Sequence, residues 1–299
     1  MTETHTLAVG KPTAAKYGRL GFSKEMTCPL SRQFIFIAGT SGTGKSCLLQ
    51  SFEEAYIFNL DLTPTTANPM RATIWPGLDP TSGVPIDVGG TPLNLTWEDV
   101  VEKKDLLMSM ANNNQPRPQL VVLDTLGTTL QMVMRALAKK YGKPAFKDLD
   151  GRRAYSEMYD IIVDFALDLR RVGYGVCFIT HITNETIQLG EDRNVIQPTL
   201  TITGGFWKRI LPLVDFSGVI FAKWKTTTEK VEMPGPIIKG KKTTFKKDVS
   251  TKVREHVLTV KKDIYEGITK CRHDMSDVVL PAADSWAALE EAYNSSSPT

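Results

Sequence analysis

Residues Gly39 to Ser46 read Gly-Thr-Ser-Gly-Thr-Gly-Lys-Ser, an unbroken G-x-x-x-x-G-K-S/T pattern. Glycines at this spacing let the chain curl so that successive backbone N–H groups point at one set of phosphate oxygens. The residues on either side decide whether that happens. Before the loop stands Phe34-Ile35-Phe36-Ile37-Ala38, an apolar run with the length of a buried strand. After it, Ser46-Cys47-Leu48-Leu49-Gln50-Ser51-Phe52 can open a helix, whose first turn favours anions. Strand, glycine loop and helix in this order predict a phosphate loop. Gly39, Thr40, Ser41, Gly42, Thr43, Gly44, Lys45, Ser46 and Cys47 are then the residues around the phosphates of ATP. Lys45 is expected at the β- and γ-phosphates. The Ser46 hydroxyl is expected on Mg2+, a hard ion that takes oxygen ligands.

Three further strands follow from the same pattern. Ala55-Tyr56-Ile57-Phe58-Asn59-Leu60-Asp61 ends in a carboxylate, and so does Leu120-Val121-Val122-Leu123-Asp124. Val176-Cys177-Phe178-Ile179-Thr180 runs into His181. Helices are predicted over Trp97 to Met110, Gly127 to Lys140 and about Ala154 to Arg171; the last places Tyr155, Met158, Ile162, Phe165 and Leu169 on one face. The Pro-, Gly- and Thr-rich stretch from Leu62 to Thr96 reads as an excursion with small hairpins, and Tyr141 to Arg152 as a loop. Apolar strands alternating with helices predict an α/β fold, a mainly parallel sheet flanked by helices on both faces. Ligands of such sheets bind beyond the carboxyl ends of the strands, where Asp61, Asp124, His181 and the glycine loop all fall. Asp124 is the expected second metal residue, holding magnesium through water from a strand expected beside the loop.

A chain of 299 residues can bury a full core. It contains no apolar stretch of membrane-spanning length, and Met1 to Leu20 is too polar for a secretory signal; a cytoplasmic protein without a membrane partner is expected. The four cysteines are scattered, with no C-x-x-C pair, which speaks against a metal or disulfide framework; Cys47 and Cys177 read as small buried apolar residues. The net charge of +3 is small but unevenly placed. Lys223 to Arg272 carries fourteen Lys/Arg against six Asp/Glu, leaving the rest of the chain net acidic. Trp224 and Phe245 stand among these lysines, the composition of a basic groove with stacking platforms as well as of a solvated face. The divisions expected are an extension over 1–32, an ATPase core over 33–225, a basic segment with a strand at His256 to Val260 over 226–290, and a disordered tail over 291–299.

Asp124 is followed by Thr125 and not Glu, so a hydrolytic carboxylate must come from elsewhere, and an AAA+ motor of the Asp-Glu type is disfavoured. Asp61, at the end of the strand after the phosphate-loop helix, sits where RecA-like ATPases carry their water-activating glutamate. Phe178-Ile179-Thr180-His181-Ile182 resembles the RecA strand that ends in a γ-phosphate-sensing glutamine, with His181 at that position. The long polar loop expected over Thr183 to Leu200, and then Thr201-Ile202-Thr203-Gly204-Gly205-Phe206-Trp207-Lys208, is similar to the stretch that closes the second DNA-binding loop of RecA. The chain thus resembles the RecA-like family over residues 33–225, and within it the short RecA-core ATPases of bacteriophages that act in single-strand annealing or recombination. A phage protein of that kind works in the cytoplasm of a bacterial host.

The resemblance implies a homo-oligomer, ring or filament, with nucleotide at the subunit interface. Lys270 and Arg272 are then the pair offered to a neighbour's nucleotide, with Lys223 and Lys225 as rivals. It implies a DNA-stimulated ATPase in which Asp61 orients the attacking water and Lys45 and His181 contact the γ-phosphate. Single-stranded DNA is expected along Lys143, Lys147, Arg152, Arg153, Arg193, Gly204, Gly205 and Lys208. Phe206 or Trp207 can stack on bases, and a core role for Trp207 is equally open. The competing readings are a hexameric RecA-core helicase and a nucleotide or small-molecule kinase; the Thr-Gly-Gly loop and the basic segment have no place in the second.

Overall fold

The computed structural model describes residues 28–62, 71–86, 89–188, 194–238, 241–261, 268–271 and 273–296, with backbone alone at 184–188, 194–197, 234–238 and 241–245. In chain order the elements are β1 (Phe34–Gly39), α1 (Lys45–Gln50), β2 (Ala55–Asn59), β3 (Thr73–Trp75), β4 (Gly77–Leu78), β5 (Pro85–Ile86), α2 (Trp97–Asn112), β6 (Leu120–Asp124), α3 (Leu126–Lys140) and α4 (Gly151–Arg171). Then come β7 (Gly175–Gln188), β8 (Asn194–Leu200), α5 (Gly204–Ile210), β9 (Phe216–Ile238), β10 (Lys241–Thr259), β11 (Val278–Leu280) and α6 (Ser285–Ser295).

Every residue of β1 is buried, and alternation divides them between two cores. Phe34, Phe36 and Ala38 face one core with Val121, Leu123, Val176 and Phe178. Ile35 and Ile37 face the other with Leu120, Val122, Cys177 and Ile179. A strand covered on both sides has no polar face, which is why these strands read as continuous apolar runs. The first core is closed by α2, α3, α4 and α5 through Trp97, Val133, Ile162 and Phe206. The second is closed by α1 and α6 through Leu48, Leu49, Trp286 and Leu289. The protein is therefore α/β, a mainly parallel sheet flanked by helices on both faces.

The sheet runs β11-β10-β9-β1-β7-β6-β2-β3, with β8 added to β7. β1, β2, β3, β6, β7 and β9 are parallel to their neighbours in this series, and β10 and β11 return antiparallel. Asp124's strand does not adjoin the loop's strand, since β7 is inserted between β1 and β6. The loop expected over Thr183–Leu200 is corrected. β7 continues past His181 and pairs antiparallel with β8 from Ile182↔Leu200 to Gln188↔Asn194, so the described part is a ribbon. The β-branched residues Thr183, Thr186, Ile187, Val195, Ile196 and Thr199 suit a pleated strand better than an irregular loop.

The divisions shift as well. Leu30 is buried and the Ser31 carbonyl packs where a Cβ on Gly175 would sit, so the last residues of the extension belong to the core. The boundary at 225 falls inside β9, which pairs with β10 from Val219↔Thr259 outward to Ile238↔Lys241, with one register shift between Lys242 and Thr244. Beyond Lys223 most described side chains of this ribbon are exposed, Trp224 at 66 %. The tail expected from 291 is helical to Ser295 and buries Tyr293. Local chemistry places the helix starts: Thr96 and Asp99 form a reciprocal capping box at α2, the Thr96 N–H donating to Asp99 Oδ2 at 2.7 Å. No described helix is long and apolar enough to cross a membrane.

Candidate nucleotide site

Gly42 and Gly44 take left-handed φ angles of 73° and 85°, which glycine adopts without the Cβ clash other residues meet. The turn they make brings Lys45 beneath the loop. Its Nζ donates to the carbonyls of Gly39 at 2.9 Å and Thr40 at 2.7 Å and lies 3.4 Å from His181 Nδ1. Lys45 is only 5 % exposed. Burial pushes its ammonium down to about 8, against the pull of Asp124 and Asp61.

Ser46 Oγ donates to Asp124 Oδ2 at 2.6 Å. This contact spans β7, because Asp124 ends β6 and the loop ends β1. Burial raises Asp124 to about 6; the Asp61 charge adds to this, while the Ser46 hydrogen bond and Lys45 oppose it. Asp61 lies two residues beyond β2, its N–H and that of Leu60 both reaching the Asp124 carbonyl. The Asp61 carboxylate accepts from Thr125 Oγ1 at 3.0 Å and from Thr128 Oγ1, and His181 Nε2 stands 3.8 Å away. Burial pushes this carboxyl up, but the nearby His181 ring and the hydroxyls of Thr128 and Thr125 together hold it below its usual range. Asp61 is thus a fixed carboxylate, and Asp124 a desolvated one.

The phosphate loop, Asp61, Asp124, Thr125 and His181 line one cleft of about 190 Å³. A buried ammonium, a hydroxyl and two carboxyl groups of unequal basicity, set under a glycine turn, fit magnesium with a triphosphate. Magnesium would supply charge neutralisation at the phosphates, held by Ser46 and Asp124. Thr125 and Thr128 were not singled out from the sequence; their signal is the hydroxyl pattern just after Asp124, in the first turn of α3. Cys47, expected to be buried, is half-exposed at the cleft, whereas Cys177 is fully buried and its thiol is pushed up by burial.

With the site in place, residues 31–264 match the AAA domain family. The chain belongs to that family. A solved KaiC-like protein from the archaeon Pyrococcus horikoshii OT3 is similar in fold at 11 % identity and a TM-score of 0.33, over 84 % of this chain and 91 % of that one. No curated protein matches the sequence. This AAA domain is a phosphate-loop NTPase whose strand-end Asp124 is followed by Thr125, a hydroxyl partner of Asp61, where Asp-Glu motors carry their second carboxylate.

The remaining candidates of the AAA domain separate. Lys270 is turned inward: its Nζ donates to the carbonyls of Leu211 at 3.0 Å and of Val214, closing the end of α5. That is a task within its own chain, where the resemblance implied one at a neighbour's nucleotide. Arg272 and Arg193 lie outside the described residues. Lys225 pairs with Glu255 at 3.1 Å on the exposed ribbon, beside Lys223. Phe206 is fully buried, and Trp207 packs on Phe36 with ring centroids 4.4 Å apart. Phe206 is core, against the stacking expected of it, and Trp207 lies partly buried against that core, one of the two roles left open for it. Gly204 and Gly205 form the first turn of α5, Gly205 against the Tyr159 ring. Lys143, Lys147, Arg152, Arg153 and Lys208 are exposed.

Proposed function

We propose that this protein is an ATP-hydrolysing, RecA-like member of the AAA domain family that binds single-stranded DNA and promotes annealing or recombination, as the bacteriophage RecA-core proteins do. The observation that carries it is the position of His181. Its ring stands between Lys45 at 3.4 Å and Asp61 at 3.8 Å, while its carbonyl accepts from Thr201 N–H at 3.0 Å and Thr201 Oγ1 at 3.1 Å. One residue thereby touches the γ-phosphate end of the cleft and the root of the β7–β8 ribbon. A shift at His181 on nucleotide binding is passed to Thr201, at the root of the ribbon, through two hydrogen bonds.

In this reading Asp61, held ionised by the Thr125 and Thr128 hydroxyls and the nearby His181 ring, orients the attacking water, and Lys45 and His181 hold the γ-phosphate end. Exposed Lys143, Lys147, Arg152 and Lys208 neutralise DNA phosphates, and a neighbouring copy supplies cations in trans from the basic ribbon, Lys223 and Lys225 among them. The test is ATPase activity titrated with single-stranded DNA, duplex DNA and RNA, with DNA affinity measured without nucleotide, with ADP and with a non-hydrolysable ATP analogue. Stimulation by single-stranded DNA and an affinity that changes with nucleotide are expected. Identical affinity in all three states removes the basis for coupling, and phosphorylation of a small acceptor would transfer the protein to the kinase class.

A further inference from the structure

The γ-phosphate end of the cleft is marked by Lys45, Asp61 and His181, so the α-phosphate end lies at the other limit of the loop, at Gly44 and Cys47. There the cleft meets a second cavity of about 620 Å³ that has the same two residues in its wall. That volume is in the range of pockets that enclose small organic ligands. Its other walls come from far along the chain. Arg254 and His256 stand on β10, Leu280 ends β11, and Pro281 and Ala282 follow it. His256 and Leu280 are directly paired across the two strands, so their side chains share one face of the sheet.

Arg254 and His256 are also fitted to the loop itself. Arg254 Nη2 donates to the Gly42 carbonyl at 3.2 Å. His256 Nδ1 would lie 2.6 Å from a Cβ at Gly44, so only glycine admits the imidazole there. Burial, followed by the neighbouring Arg254 charge, holds the His256 ring below its usual range, leaving a neutral heteroaromatic plane at neutral pH. A guanidinium and an imidazole, with Leu280 beside them on the same face and Pro281 and Ala282 following it, suit a flat, uncharged, polarisable group.

We infer that this cavity is the nucleoside subsite, with the base of the bound nucleotide lying against the face that Arg254, His256 and Leu280 share, beside Pro281 and Ala282. The inference rests on the nucleotide reading of the phosphate loop. It assigns binding residues to β10 and β11, outside the strands that carry the phosphate chemistry.

The test is calorimetric titration of the full chain with magnesium ADP and, in parallel, with magnesium tripolyphosphate, which has phosphates and no nucleoside. The variants are His256→Ala and Ala282→Trp, the second adding bulk to the cavity at an exposed position. Each is expected to weaken ADP tenfold or more, the scale of a lost stacking contact, and to leave tripolyphosphate within twofold. Unchanged ADP affinity, or an equal loss for both ligands, overturns the inference. So does a wild-type protein that binds tripolyphosphate as tightly as ADP. A wild-type protein that binds neither ligand sinks the nucleotide reading itself, and the subsite with it.

Discussion

Replacing Lys45 by methionine should make the ligand-free protein more stable while removing its response to nucleotide. The Lys45 ammonium titrates near 8 in the fold against 10.5 in an exposed lysine, because burial strips its water. Holding it charged at neutral pH therefore costs about 3 kcal/mol of folding stability. Methionine has a similar length and no charge, so that cost disappears. Against this, the Gly39 and Thr40 carbonyls lose their donor. Thr40 is exposed and regains water, while the buried Gly39 carbonyl gives back about 1 kcal/mol. The net expectation is a variant more stable by about 1–2 kcal/mol in urea denaturation without ligand. Between pH 8 and 10.5 the unfolded chain binds the proton that the fold has released, so wild-type stability rises with pH across that window. The advantage of the variant should be full below pH 8 and fade towards 10.5. At an ADP concentration a hundredfold above its dissociation constant, the wild type should gain about 2.7 kcal/mol and the variant close to nothing. A variant destabilised without ligand, a stability difference flat through pH 8–10.5, or a retained ADP shift would refute the reasoning.

Further outcomes follow from the same geometry. Asp61→Asn keeps the size and part of the hydrogen bonding but loses the carboxylate; ADP affinity should stay within a few-fold while turnover falls by roughly a hundredfold or more, and undiminished turnover would move the water-orienting role elsewhere. Phe206→Ala should cost about 3–5 kcal/mol in denaturant midpoint experiments, as a fully buried aromatic does; a loss of DNA affinity with unchanged stability would instead restore its stacking role. Gly39→Ala sets a Cβ 2.4 Å from the Ile220 carbonyl, so the phosphate-loop strand must separate from β9; lowered thermal stability and weaker nucleotide binding are expected together. Lys270→Ala should destabilise the protomer by about 1–3 kcal/mol through the carbonyls it abandons. Equal activity of variant and wild type per assembled subunit would agree with that task, and selective loss in mixtures with wild type would return it to a trans role.

Much of the site was legible because its parts are local. The glycine loop and the apolar run before it state their conformation in consecutive residues, and Asp61, Asp124 and His181 stand at the ends of apolar strands. Their meeting follows from parallel strands ending on one side of a sheet. What failed to read correctly was set by pairing at a distance. The Thr183 to Leu200 stretch is polar enough to pass for a loop, and only the ladder between β7 and β8 makes it a ribbon. Trp207 stands in a basic, glycine-rich neighbourhood that left stacking and packing equally open, and the Phe36 ring 4.4 Å away sets it against the core.

The sequence by itself determined that the chain folds around a phosphate loop in an α/β sheet, because hydrogen bonding within the loop and burial on both faces of the strands are encoded in runs of five to eight residues. Tertiary structure alone decided the order of the strands, with β7 between β1 and β6 and the Ser46–Asp124 contact across it. It also decided that Lys270 turns inward and that Arg254 and His256, some two hundred residues from the loop, close over Gly42 and Gly44. Those outcomes depend on which surfaces are left for a distant segment to cover, and no local pattern of residues carries that information.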